Sequence, residues 1–251
     1  MSLTPRPFPI MRLWLAAPDW TFRLVGMAFF FGYFAYRLPD YFTDFWNLGP
    51  YYEFSNGDRL HLPWTRVLID VTYLLIGLAY LFRLPPRSRA HRGREITIAM
   101  FGAFWPFLPF VVEAILSWSH STRHAAYHDW MWADSLSLFR TLAGAALVLL
   151  GNAFDVWGYG TLFRALSIVP EARVLKVTGP YRLVRHPIYL GQMLAQGGVW
   201  LCFANTHIVW IAFFACFVAF QLYRSRLEDR VLEAAFGEAH AEWMRKTFWF
   251  V

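Results

Sequence analysis

One stretch of this chain sets two arginines, a histidine and two tyrosines around the start of an apolar run. It reads Lys176-Val177-Thr178-Gly179-Pro180-Tyr181-Arg182-Leu183-Val184-Arg185-His186-Pro187-Ile188-Tyr189-Leu190-Gly191. Gly179-Pro180 is a turn signal. Pro187 suits the first position of a helix, where a missing N–H costs nothing. His186 then stands at the cap, beside free amides that favour negative charge. With Arg182 and Arg185 alongside, the stretch has the means to hold a carboxylate or phosphate. Helix capping and headgroup anchoring are the simpler roles open to the same residues.

A second cluster lies in Tyr223-Arg224-Ser225-Arg226-Leu227-Glu228-Asp229-Arg230-Val231-Leu232-Glu233-Ala234-Ala235-Phe236-Gly237. Leu227, Val231 and Ala234 are spaced for one face of a helix, and Arg224 stands one turn before Glu228. Taken alone, Glu228 and Asp229 read as solvated acids paired with Arg224 and Arg226. Two apolar runs separate this cluster from the first: Ile188 to Phe203 and Ile208 to Tyr223, joined by the polar Ala204-Asn205-Thr206-His207. Two helices joined so tightly form a hairpin. Its feet therefore meet in space, and the Arg-His-Pro segment comes to lie beside the acidic pair.

The rest of the chain must position that hairpin. Of its 251 residues 57% are hydrophobic and only 16% charged, which is too apolar for an ordinary soluble domain. Further apolar runs cover roughly Trp20 to Tyr36, Val67 to Phe82, Ile96 to Trp118 and Leu136 to Trp157, with Pro106 and Pro109 set to bend the third. Runs of this length span a bilayer as helices, because every backbone amide needs an internal partner there. They lack the alternation of a membrane β-barrel. The expected fold is an all-α integral membrane protein of about six transmembrane helices with a C-terminal amphipathic helix. It reads as a single membrane domain over 1–251, without internal repeats.

Loop charges suggest an orientation. Arg83, Arg87, Arg89, Arg92 and Arg94 follow the second run. Arg164, Arg173, Lys176, Arg182 and Arg185 precede the fifth, and Arg224, Arg226 and Arg230 follow the sixth. The opposite loops are richer in acids. Both termini and the reactive segments are thus expected on the cytoplasmic side. The net charge of +6 reads as topology and contact with anionic lipid, with no nucleic-acid partner. The proline-rich start, with Pro5, Pro7, Pro9 and Pro18, does not look like a cleavable signal. Cys202 and Cys216 read as small buried hydrophobes.

The pattern Gly-Pro-Tyr-Arg-x-Val-Arg-His-Pro-x-Tyr-x-Gly, followed by a hairpin and an acid pair leading to Phe236-Gly237, resembles the isoprenylcysteine carboxyl methyltransferase superfamily and the membrane phospholipid methyltransferases similar to it. The resemblance covers roughly Thr178 to Trp243. It implies a helical membrane enzyme using S-adenosyl-L-methionine, enclosed between the last hairpin and the C-terminal helix. Carried over, the cofactor-binding positions fall on Tyr181, Arg182, His186, Pro187, Tyr189, Leu190, Glu228 and Asp229. Arg185 and Glu228 would flank the transferring methyl or the acceptor, and no metal is implied. The segment 158–251 becomes the cofactor half and 1–157 the acceptor side. The chain departs from the family pattern in three places: Asp229 stands where Glu is common, and His240 and Trp243 where Tyr is usual.

The residue chemistry agrees with that resemblance. A cationic sulfonium is favoured by carboxylates and aromatic faces, and its amino-acid carboxylate by an arginine or helix-start amides. Methyl transfer asks mostly for positioning. The acceptor is expected to be lipophilic: an isoprenylcysteine-like carboxylate, a thiol or a lipid headgroup. A carboxylate needs only an arginine to orient it, whereas a thiol or amine needs a proton acceptor, for which Glu228 or His186 qualifies.

Three other readings compete. Sterol-type reductases resemble the same hairpin and bind a nicotinamide cofactor, but Gln192 stands where an acid is expected in them. His120, His124 and His128 recur at helical spacing beside Asp129, as in di-iron oxygenases, yet lie away from the hairpin feet and read better as an interfacial polar loop. A non-catalytic lipid-binding protein on the same scaffold is the third.

Overall fold

The computed structural model describes residues 18–89, 93–119, 122–131, 137–203 and 208–249. Its framework is helical. Helix α1 (Asp19–Arg37) leads through a short hairpin, β1 (Tyr51–Glu53) with β2 (Arg59–His61), to α2 (Pro63–Phe82). Then come α3 (Gly93–Phe104), α4 (Leu108–Trp118), α5 (Arg123–Met131), α6 (Leu138–Leu162), α7 (Pro187–Phe203), α8 (Ile208–Phe236) and α9 (Glu238–Lys246). Two short strands, β3 (Ser88–Arg89) and β4 (Glu171–Ala172), pair antiparallel.

Local signals explain the boundaries. Pro63 and Pro187 open α2 and α7, where the missing amide is harmless. Ser137 caps α6 by accepting from the Arg140 amide. Pro106 breaks the third run as expected: a 3₁₀ turn over Trp105–Phe107 separates α3 from α4. Gly237, at φ +51°, allows the sharp bend from α8 into α9.

The expected runs all appear as helices, within a few residues of the expected limits apart from longer extensions at the α2 start and the α6 and α8 ends. Four stretches are long and apolar enough to cross a membrane: Pro63–Phe82, Gly93–Trp118, Leu138–Ala165 and Ile208–Phe236. The other two fall short of the same measure. Helix α1 carries Asp19, Arg23 and Arg37 within 19 residues, and α7 has 17 residues. The six-span expectation thus rests on four clear spans. The polar turn 204–207 lies outside the described residues.

The centre of the bundle is the antiparallel pair α6 and α7. Gly144, Gly151 and Gly158 repeat every seven residues on α6, as do Gly191 and Gly198 on α7. A Cβ at Gly151 would lie 2.4 Å from the Ala195 amide nitrogen, and one at Gly198 would lie 2.5 Å from the Gly144 carbonyl. The two backbones touch. Small residues permit this approach, and close van der Waals packing takes the place of a hydrophobic force that lipid cannot supply.

The basic loops gather at one end. The Leu84 amide donates to the Arg164 carbonyl, and the Arg87 amide to Ala172. Arg83 and Arg173, both buried, bind Asp19 at 2.9 and 3.3 Å. At the other end Asp70 accepts from Tyr41 at 2.6 Å and pairs with Arg37 at 2.9 Å.

Two details correct the sequence reading. Cys202 is buried, but Cys216 is exposed on the outer surface of α8. On the same helix Ala234 is exposed and Leu232 is buried, so the inward face runs through Gln221, Arg224, Ser225 and Leu232. The helix turns its polar residues inward there, which apolar spacing does not detect.

Enlarging Gly151 to Ala should cost about 1–3 kcal/mol by overpacking. Gly160, on the same helix, faces open space, and Gly160→Ala should be neutral or slightly stabilising. Thermal unfolding of both variants in one detergent tests this; equal midpoints would contradict the seam.

Candidate active site

The hairpin brings its feet together. Arg185 Nη1 lies 3.1 Å from Asp229 Oδ2, and His186 Nε2 lies 3.0 Å from Asp229 Oδ1. His186 Nδ1 faces Glu228 Oε2 at 3.6 Å. The His186 ring stacks on Tyr189 at 5.4 Å and meets Trp249 edge-on at 5.1 Å. Arg185 and His186 are buried. Asp229 is thus the centre of an ion-pair cluster rather than a solvated acid beside Arg226.

The chain beyond α8 closes over this cluster. Trp243 donates its indole N–H to the Tyr181 carbonyl at 2.8 Å, and Trp249 donates to Ser225 Oγ at 2.9 Å. The Arg185 amide donates to the Phe248 carbonyl, and the Phe248 amide to Leu183. His240, fully buried, lies 3.5 Å from Asp229 Oδ1, with neither ring nitrogen hydrogen-bonded among the described residues. The departures His240 and Trp243 therefore both face the cluster.

A cavity of about 580 Å³ begins at this point. Its lining includes Tyr181, His186, Tyr189, Arg224 and Glu228 beside the cluster, and Asn152, Asp155, Tyr33 and Arg37 beyond them. That is a volume typical of small-molecule sites. A smaller cavity of about 30 Å³ adjoins it and is lined by Arg185, His186 and Glu228. Arg224 donates to Gln221 Oε1 at 2.8 Å and to the Ile168 carbonyl at 3.2 Å, and lies over the Tyr189 ring. Gln221 in turn donates to Gln192, which donates to the Tyr159 hydroxyl at 2.8 Å.

Of the residues singled out in the sequence, Tyr181, His186, Tyr189 and Glu228 line the main cavity. Arg185 and Asp229 stand beside it. Pro187 is buried at the start of α7, and Leu190 lies on that helix outside the lining. Arg182 is exposed and lines neither cavity, because the 3₁₀ turn Gly179–Arg182 points Tyr181 inward and its neighbour outward. Sequence reading missed Asn152, Asp155, Gln221 and the inward role of Arg224. Their signal was available: polar and ionisable side chains inside an apolar run face a cavity or a partner.

The histidine loop does not join this site. His128 Nδ1 is 2.7 Å from Glu113 Oε1, and His120 lies outside the described residues. Among the described residues no three His, Cys, Asp or Glu side chains are grouped to hold a metal.

Residues 139–239 match the family model described as phospholipid methyltransferase. The match overlaps the resemblance seen in the sequence from Thr178 to the start of α9 and adds α6, where the sequence showed none. The matched region includes Asp155, Arg185, His186, Glu228 and Asp229, while His240, Trp243 and Trp249 lie beyond it. No curated protein matches the chain.

The two histidines give opposite pH dependences. Burial alone would lower the His186 pKa, but Asp229 and Glu228 outweigh it and raise it above 6.5. Its stabilising charge is complete below 6.5 and is lost as pH rises through the raised value. Burial lowers the His240 pKa despite Asp229, so its contribution is lost as pH falls below 6.5. The thermal midpoint should peak near 6.5. His186→Gln should flatten the alkaline limb and His240→Gln the acid limb; unchanged limbs would contradict the assignment.

Proposed function

We propose that this protein transfers a methyl group from S-adenosyl-L-methionine to a lipophilic acceptor that reaches the cavity from the bilayer. The observation that carries this reading is one juxtaposition. The family match includes residues that line a ligand-sized cavity beside the Asp229 cluster, and those residues suit a cationic sulfonium. When bound, the cofactor supplies an electrophilic methyl group.

The residues fit that ligand. Tyr181 and Tyr189 offer aromatic faces and Glu228 a carboxylate, all of which favour a sulfonium. Arg224, held by Gln221 and the Ile168 carbonyl, lines the cavity and is the cation placed to face the amino-acid carboxylate. His186 and Asp229 hold the foot of α7 in place. Glu228 touches both cavities and is the proposed residue at the reacting centre, with Arg185 acting from the smaller one. Residues 158–251 form the cofactor half. The acceptor side comes from 1–157, where Phe30, Phe104, Phe107 and Val111 make the lining apolar. The basic end, with the site, faces the cytoplasm on this reading.

Calorimetry of the purified protein in detergent should show binding of S-adenosylmethionine and its demethylated product, and none of NADPH. Glu228→Gln should weaken that binding about tenfold or more, a loss of roughly 1.4 kcal/mol. Glu228→Ala should abolish turnover and keep the detergent-solubilised fold, whereas Arg185→Ala should abolish turnover and also lower the thermal midpoint, because it breaks the pair with Asp229. Binding of NADPH alone would move the protein to the reductases. Binding of neither would make it a lipid-binding protein.

A further inference from the structure

Within the main cavity, three polar side chains from three helices stand at one depth. Asn152 on α6 and Gln196 on α7 each follow a residue of the tightest contact in the seam, where a Cβ on Gly151 would lie 2.4 Å from the Ala195 amide nitrogen. Both line the cavity. Gln196 is nine residues beyond Pro187, about 14 Å along the helix from the foot of α7. Tyr73 on α2 lines the cavity too. Helices α2 and α6 both run towards the hydrogen bond from the Leu84 amide to the Arg164 carbonyl. Counting eleven residues back from Leu84 and twelve back from Arg164 therefore sets Tyr73 level with Asn152.

Asn152 donates its amide nitrogen to the Val148 carbonyl at 2.8 Å. That bond fixes which end of the amide is which, because a carbonyl only accepts. Asn152 Oδ1 is left as an acceptor with no donor among the described residues. Gln196 and the Tyr73 hydroxyl likewise make no hydrogen bond among the described residues. None of these atoms is sealed inside the protein, in contrast to Asp155 Oδ1. Polar side chains at membrane depth mark a ligand path when no neighbour takes them up. A hydrocarbon tail laid against them would expel water and leave all three unpaired, a desolvation penalty at each.

We propose that Asn152, Gln196 and Tyr73 recognise a hydroxyl in the tail of the lipophilic acceptor, about 14 Å from its reacting end. This rests on the reading of the cavity as the acceptor's place and adds a selection on the tail. Asn152 Oδ1 requires a donor, so an ester, ketone or ether does not satisfy it. Gln196 and Tyr73 can donate, so the ligand group must also accept. Asn152 and Gln196 are neighbours beside the seam, and a hydroxyl serves both from a single atom. A charged group meets no counter-charge among the three. A site built around a hydroxyl discriminates against the analogue that lacks it, because its own polar groups are then stranded.

The test titrates the purified protein in detergent, without cofactor, with oleyl alcohol and ricinoleyl alcohol. The two differ by a hydroxyl on the twelfth carbon, about as far from the head as Gln196 is from the foot of α7. Ricinoleyl alcohol should bind about tenfold or more tightly than oleyl alcohol. An oleyl chain hydroxylated at its last carbon should bind no better than oleyl alcohol. Asn152→Leu and Gln196→Leu should each erase the preference, weakening the hydroxylated chain and tightening the plain one, with calorimetric binding of S-adenosylmethionine unchanged. Equal binding of the two alcohols, binding of neither, or an equal gain from the terminal hydroxyl would overturn the proposal. So would a preference that survives in both variants. If one variant does not fold, the other and Tyr73→Phe decide. Absence of cofactor binding would overturn the methyltransferase reading alone, since the preference is measured without it.

Discussion

The contact on which the rest depends is the glycine seam between α6 and α7. In a bilayer, apolar side chains gain little by turning from lipid to protein, so helices associate where their surfaces can come closest. Gly144, Gly151 and Gly198 let the two backbones meet with no side chain between them. Seven-residue spacing keeps that stripe along one line of each helix. Because the contact is backbone on backbone, it fixes depth as well as distance. Asp155 is held against Gly191, and Gly158 against Ile188. The foot of α7, with His186, therefore has a defined height relative to α6.

At the membrane surface a different force takes over. Asp229 is shared by Arg185 and His186, with His240 close by. These groups come from the loop before α7, the far half of α8 and α9, so one carboxylate ties three parts of the chain together. Buried ion pairs add little net stability, since desolvation offsets most of the attraction, but breaking one leaves an expensive orphan charge. The cluster therefore specifies an arrangement more than it strengthens it. The aromatic rings of Tyr189, Trp243 and Trp249 exclude water from that arrangement.

Much of this was legible in the sequence, for identifiable reasons. Long apolar runs must be helices in lipid, and a short turn must return the chain beside itself. Those two facts alone bring His186 next to Asp229. What the sequence hid were features that break the apolar pattern without disturbing its average. Asp155 and Asn152 are two polar residues in a run otherwise rich in Leu, Ala and Gly, and their depth is invisible until the seam fixes the rotation of α6. Arg224 sits one turn before Glu228 and was read as its partner, yet it turns to Gln221 and the Ile168 carbonyl. Leu232 rather than Ala234 faces inward, because the inner face of α8 follows its polar groups. The clasp made by Phe248 and Trp249 depends on tertiary hydrogen bonds that no local spacing announces.

That clasp divides the site into two layers with different supports. The hairpin alone returns His186 to Asp229, whereas the Trp249 ring meets His186 where Phe248 is bound to Leu183 and Arg185 and Trp249 to Ser225. Loosening the clasp would therefore wet the buried imidazole while leaving both membrane helices in place.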